Sequence, residues 1–306
     1  MNPRVVDSPP KDSVRILLTE IIDYAGLFPP SQVSMSEAVL NYATYRHSNY
    51  GWMLGRFVLP TARLEEFYES AKEFLPRGSE TAWRLSVLAG EDLAATVRTI
   101  NEFNRKHSER AICDVLEVKA ATVSKIENTM ATLPKAIIPY FEVAPVGRTF
   151  VDLIATLGIK KLRAKLRTGG VTREEFPATR DIIRFVRTCM AANVPFKATA
   201  GLHHPIRCFK PLTYAPDAPQ GTMHGFLNML LMTGFARESF RVSMLEEIME
   251  EEFEEVFEFG GNGVSWRGSN FLMLGQLERL RSRGMHSFGS CSFDEPVADL
   301  QEMGVL

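Results

Sequence analysis

The stretch KKLRAKLRTGG at residues 160–170 alternates apolar and cationic side chains with a period of two and ends in a glycine pair. Successive side chains of an extended strand point to opposite faces. Leu162, Ala164 and Leu166 therefore share one face, and Arg163, Lys165 and Arg167 share the other. Such a strand suits a closed parallel barrel, in which one side meets helices and the other lines the interior.

The same rhythm runs outward in both directions. LGRFVLP at 54–60, WRLSVLAG at 83–90, DVLEVKA at 114–120 and AIIPYFEVAP at 136–145 each precede a helical stretch. VPFKATAGLHH at 194–204 follows, and SFGSCSF at 287–293 leads into a helix start at Ser292 and Asp294. Strands alternating with helices at this spacing predict a parallel sheet. Seven strands are accounted for in this way, and the eighth is expected between residues 254 and 267, as Val256–Phe259 or Gly263–Trp266. The first strand ends in Leu59, Pro60 and Thr61 without a GxGxxG turn, which speaks against an open dinucleotide-binding sheet.

The expected fold class is therefore α/β, a single (β/α)8 (TIM-type) barrel over residues 51–306 with an N-terminal helical extension at 1–50. The spacing of Val14, Ile16, Leu17, Leu18, Ile21 and Ile22 predicts one helix over 12–25, and a second is expected over 34–47. These helices either plug the bottom of the barrel or form a dimer face, so a homo-oligomer stays open. A long insertion after the sixth strand, 202–221, reads as a lid or binding loop. Residues 241–256 read as a helix whose acidic run, Glu246–Glu255, is a solvated face.

A chain that is 45% hydrophobic and 24% charged can bury a full core. Its formal charge of −2 and dispersed Lys and Arg residues give no reason to expect nucleic acid. No apolar run approaches the ~20 residues that cross a bilayer, so no membrane partner is expected. The start, MNPRVVDSPPKD, is unlike a signal or transit peptide, and Cys113, Cys189, Cys208 and Cys291 form no CxxC pair. Reduced thiols and a cytoplasmic location are expected.

The alternation also points Glu117 and Lys119, Tyr140 and Glu142, and Lys197 and Thr199 into the barrel, with Arg56, Arg84 and Ser86 on earlier strands. Burying an unpaired charge costs several kcal/mol, so these groups need partners or a task. One reading is an internal network, Glu117–Lys119–Glu142–Lys165. The other is an active site, because barrel enzymes keep theirs at the C-terminal ends of the strands.

Lys119, Lys165, Arg167 and Lys197 outnumber Glu117 and Glu142, which suggests a small anionic metabolite bearing phosphate or carboxylate. Gly169 and Gly170 after one strand, and Ser290 and Ser292 before the last helix, offer groups that hold such an anion. Arg207 and Lys210 on the long loop are further candidates. Lys165 and Lys197 are expected side by side, and a second cation depresses a lysine's pKa. Lys197 then becomes the amine that attacks a carbonyl, with Glu142 or Glu117 as general acid/base.

Of the histidines, His203 and His204 follow a strand directly; on extended chain they point to opposite sides, so one of them enters the site as acid/base or anion ligand. His224 and Asn228 are expected on one helix face. No cofactor is required by these groups. A divalent metal on Glu117, Glu142 and His203 is the alternative, although HxH and HExxH spacings are absent.

The local sequence FKATAG at 196–201 resembles the sixth-strand motif Lys-Thr-Ser-Thr-Gly of the deoxyribose-phosphate aldolase (class I aldolase) family, whose lysine forms a Schiff base. Gly289, Ser290, Cys291 and Ser292 look like that family's phosphate-binding serines. The resemblance implies an aldolase-like lyase acting on a small phosphorylated or carboxylated carbonyl compound. It departs at the seventh strand, where the family keeps a second lysine and residues 254–267 have none. Over its whole length the chain looks more like a bacterial barrel-like family of uncharacterised activity that carries AKLRTGG, FKATAGLHHP and FGSCSF. A metal-dependent hydrolase or lyase, and a non-catalytic barrel that binds an anionic metabolite, are the alternative functions.

Overall fold

In the computed structural model, which describes residues 9–306, the strand–helix rhythm closes into a barrel of eight parallel strands. They are β1 (Ile22–Tyr24), β2 (Leu54–Pro60), β3 (Trp83–Leu88), β4 (Ala111–Lys119), β5 (Ile138–Glu142), β6 (Arg163–Arg167), β7 (Phe196–Thr199) and β13 (Met285–Ser290), which closes the ring onto β1. The polar start at residues 1–8 lies outside the described residues.

The outward faces carry the apolar half of each alternation. Leu116, Phe141, Ala164, Leu166, Phe196 and Ala198 are fully buried, in one core with helix residues such as Ile126, Ile154 and Phe185. Each buried Leu, Ile or Phe among them contributes on the order of 1.5–3 kcal/mol of burial. Those helices are α5 (Val123–Thr132), α6 (Phe150–Ile159) and α7 (Thr179–Ala191).

Two expectations about the barrel strands are corrected. The run over 12–25 is not one helix: α1 (Asp12–Leu18) stops, Glu20 takes a positive φ of 51°, and the next apolar residues form β1, the first barrel strand. The barrel thus begins at Ile22 rather than near residue 51, and each strand read as first to sixth is in fact second to seventh. Nor do residues 254–267 supply a barrel strand. β10 (Phe257–Phe259), β11 (Gly263–Trp266) and β12 (Asn270–Met273) make a separate antiparallel sheet. The connections Gly260–Asn262 and 267–269 are hairpin turns, too short for the crossover that a parallel neighbour needs.

The insertion after β7 is also more ordered than a bare loop. It folds into the hairpin β8 (Cys208–Pro211) and β9 (Gln220–Met223) before the buried helix α8 (Phe226–Arg237). The helix read over 241–256 ends earlier, as α9 (Val242–Met249), and Glu251 is not solvated. It is 3% exposed and accepts hydrogen bonds from Trp266 and Arg267. Among the described residues no helix is long and apolar enough to cross a membrane.

Candidate active site

Pairing register decides which charges meet. Across the barrel wall Glu117 stands opposite Tyr140, Glu142 opposite both Lys119 and Lys165, and Lys165 opposite Lys197. A β-bulge at Cys113–Val115 lets Asp114 and Glu117, three residues apart, both reach interior partners. Asp114 takes a two-point hydrogen bond from Arg56, at 2.7 and 2.6 Å.

Glu117 is the hub. Its Oε1 accepts from Lys197 Nζ at 2.7 Å and from Ser86 Oγ at 2.7 Å, while Oε2 meets Lys165 Nζ at 2.6 Å. Lys165 makes a second ion pair with Glu142 at 2.9 Å. Lys197 makes its second with Asp23 at 2.5 Å, and Asp23 also accepts from Ser287 Oγ and from the Arg56 backbone N–H.

The two lysines are neighbours in register, as expected, but their carboxylate partners reverse the expected electrostatics. Burial pulls the pKa of Lys197 down; Asp23 and Glu117 outweigh it and hold the ammonium well above the usual lysine range. Lys165 is shifted in the same direction, burial being outweighed by Glu117 and Glu142. For Glu117 and Asp23 burial works against ionisation, and the facing cations still push both below the usual carboxylate range. The depressed, neutral Lys197 is thus corrected: it is a charged group with two carboxylate partners.

Above this network lies a cavity of about 270 Å³ at the C-terminal ends of the strands. Glu117, Lys119, Glu142, Lys165, Arg167 and Gly170 line one side, with His203 and Cys291 also on its wall. Lys197 is 1% exposed and does not line it. Lys119 is exposed, and among the described residues no carboxylate stands within salt-bridge distance of it. Arg167 instead faces Glu175 at 3.2 Å, and Glu175 also accepts from the N–H groups of Val171 and Thr172.

Several expected anion ligands are elsewhere. His203 lines the cavity, but His204 turns away to Asp299 at 2.6 Å and Arg207 pairs with Glu252. The hydroxyls of Ser290 and Ser292 accept from the N–H groups of Ser292 and Glu295, shaping the turn into α11 (Asp294–Glu302). Gly169 serves close packing: a Cβ there would sit 2.9 Å from the Cα of Gly201, which itself adopts a φ of 73°. His224 precedes α8 and bonds the Pro177 carbonyl, while Asn228 ties α8 to the backbone of Ile248 and Glu251.

The metal alternative meets a similar difficulty. Both oxygens of Glu117 face lysine ammoniums and His203 faces Cys291, so Glu117, Glu142 and His203 do not converge. Among the described residues no group of three or more His, Cys, Asp or Glu side chains is arranged to hold a metal.

Sequence reasoning missed two participants and one contact of a third. Asp23 was hidden in the strand read as helix; its signal was a lone carboxylate inside the apolar run Ile21, Ile22 and Tyr24. Tyr140 was placed inward, but its bond to His286 at 2.8 Å was not foreseen. Cys291 was read only as a reduced thiol, whereas it meets His203 on the cavity wall.

The chain is thus a TIM-type parallel barrel with a charged, solvent-reaching cavity at the strand ends where such barrels act. No protein-family profile and no curated protein matches it in sequence.

Proposed function

We propose that the protein is an aldolase-like lyase that acts on a small anionic carbonyl compound, with Lys165 rather than Lys197 as the reacting amine. One observation carries the reading: Lys165 is the buried lysine on the cavity wall, held 2.9 Å from Glu142, whose side chain is 19% exposed. Glu142 is the natural proton acceptor, since it touches both the amine and the cavity. On transfer of a proton to Glu142, the free Lys165 amine adds to the substrate carbonyl. Glu142 returns the proton to the departing water, leaving an iminium that draws electrons from the bond to be broken.

The corrected strand count moves residues 196–201 off the sixth strand, so their likeness to a sixth-strand motif loses its place and the sixth-strand lysine is Lys165. Lys165, Leu166, Arg167, Thr168 and Gly169 run off the sixth barrel strand and share lysine, threonine and glycine with Lys-Thr-Ser-Thr-Gly. Lys197 stands on the seventh, where the deoxyribose-phosphate aldolase family keeps its second lysine. Lys119, the exposed cation at the mouth, is suited to the phosphate or carboxylate of the substrate.

The ion pairs of Lys165 favour a second reading, in which it stays an ammonium and stabilises an enolate without a covalent bond. Borohydride trapping separates the two. The protein is incubated with pyruvate or dihydroxyacetone phosphate, reduced, and mapped by mass spectrometry. An adduct on Lys165, absent from Lys165→Arg, is the expected result. Turnover of such a compound without any trapped adduct would establish the non-covalent reading. Adducts confined to Lys197 would overturn the assignment of the amine.

A further inference from the structure

Beyond the ends of β7 and β13 a second cluster comes together at the cavity. His203 Nδ1 lies 3.8 Å from Cys291 Sγ and 3.6 Å from Glu295 Oε2. Tyr214, on the connection between β8 and β9, donates to Glu295 at 2.9 Å and stands 3.8 Å from the sulfur. Cys291 and His203 are 6% and 8% exposed, and both line the cavity. Tyr45 donates to Asp294 at 2.7 Å, and Ser31 donates to the Cys291 carbonyl.

The other three thiols show what is special here. Burial alone pushes Cys189 up; Cys113 rises through burial, with Asp114 adding to it. Cys208 is raised to about 11, chiefly by burial. Cys291 is buried too, yet His203, with Ser31, more than offsets that burial and brings its pKa below the ordinary thiol value. The imidazole is correspondingly raised: burial opposes its charge, but Cys291 and Glu295 carry it up to about 9. The geometry sets the Cys291 thiol beside the His203 imidazole, the pairing that activates a cysteine as a nucleophile.

We propose that Cys291 and His203 form a second reactive centre in the cavity, which captures small aldehydes as reversible thiohemiacetals. The Sγ–C bond forms as the carbonyl π pair moves onto oxygen, and that oxygen takes the proton from His203 Nδ1. The reverse steps regenerate thiolate, imidazolium and aldehyde, with no change in oxidation state. The cavity's volume of about 270 Å³ restricts the electrophile to a small molecule. Nδ1 supplies the one proton that this addition needs, and no leaving group has to depart. Lys119, also lining the cavity, suits an aldehyde that carries an anionic group. This chemistry does not depend on a Schiff base at Lys165.

The test is alkylation of the intact protein by iodoacetamide across pH 5–10, with the site read by mass spectrometry. Cys291 is expected to react at pH 6.5, at least about tenfold faster than in His203→Gln, and the gap should close above pH 9 as any thiol ionises. Glycolaldehyde phosphate should slow the labelling of Cys291 in wild type and equally in Lys165→Met, which keeps this centre separate from the lysine chemistry. The wild-type pH profile needs no variant, so it decides even if a substitution fails to fold. A labelling midpoint at or above the ordinary thiol value of about 8.5 would overturn the pair. Labelling that glycolaldehyde phosphate does not slow would overturn the aldehyde capture.

Discussion

The floor and the mouth of the barrel hold the same kinds of side chain in opposite conditions. On the floor most interior charges have a counter-charge: Lys197 with Asp23 and Glu117, Arg56 with Asp114, Arg84 with Glu20, while Arg163 lies over the ring of Tyr140. Hydroxyls of Ser86 and Ser287 satisfy the remaining carboxylate capacity. At the mouth the matching is incomplete, with Lys119 exposed and a cavity beside Lys165, Glu142, His203 and Cys291. Charge buried with complete partners fixes structure, whereas charge left open toward a cavity is available to a ligand. Lys165 belongs to both regions, since Glu117 ties it to the floor and Glu142 to the mouth.

Breaking the floor should produce the largest effect. Asp23→Ala leaves Lys197 with one carboxylate and orphans Ser287 and the Arg56 N–H. Removing one partner of a buried ion pair costs about 3–5 kcal/mol, to be measured by urea unfolding. A loss below about 1 kcal/mol would mean that the floor is no more closed than the mouth.

The two regions also hold their histidines in opposite protonation states, which gives a pH test. Burial, aided by Arg163, Arg281 and Arg56, lowers the pKa of His286 on the floor to about 4. Its unfolded value is about 6.5, so the unfolded chain alone takes up the proton as pH falls from 6.5 to 4. Stability from His286 is therefore complete above 6.5 and lost toward 4, on the order of 1–3 kcal/mol. His286→Asn should lack this acid-side slope in unfolding experiments, and an unchanged slope would contradict a neutral His286. His203 at the mouth has the reverse sign: its contribution is present below 6.5 and lost as pH rises through about 9. The lowered thiol of Cys291 contributes oppositely in an overlapping range, so the floor histidine gives the cleaner reading.

Much of this contrast was legible in the sequence because period-two alternation is a local property. It correctly turned Glu117, Glu142, Lys165 and Lys197 inward and placed the cavity at the strand ends. What it missed was non-local or too short. β1 has three residues, all buried, so neither alternation nor polarity marks it as a strand. The missed strand hid Asp23, and with it the reason why Lys197 stays charged. Glu117 lies in register with Tyr140, and its reach to both lysines exists only once the barrel closes. Cys291 and His203 are 88 residues apart, and their shared signal was only that each follows the end of a strand. Residues 254–267 read as a barrel strand because an eight-strand count left one to be placed there, whereas they form β10 and β11 of the antiparallel sheet.

Lys119 offers the finest test of the contrast, because its expected effect on folding is smallest. It ends β4 in register with Glu142, yet its exposed ammonium is not committed to the floor network. Lys119→Ala should therefore change stability by no more than about 0.5 kcal/mol, as surface substitutions generally do. Binding should respond differently. A charge-assisted hydrogen bond to an anion contributes roughly 1.5 kcal/mol or more, so affinity for a small phosphorylated ligand should fall about tenfold. Thermal-shift titration with glycolaldehyde phosphate measures both quantities on one sample: the ligand-free midpoint reports stability, and its rise with concentration reports affinity. Unchanged affinity would remove Lys119 from the anion site. A large drop in the ligand-free midpoint would instead move Lys119 into the closed network of the floor.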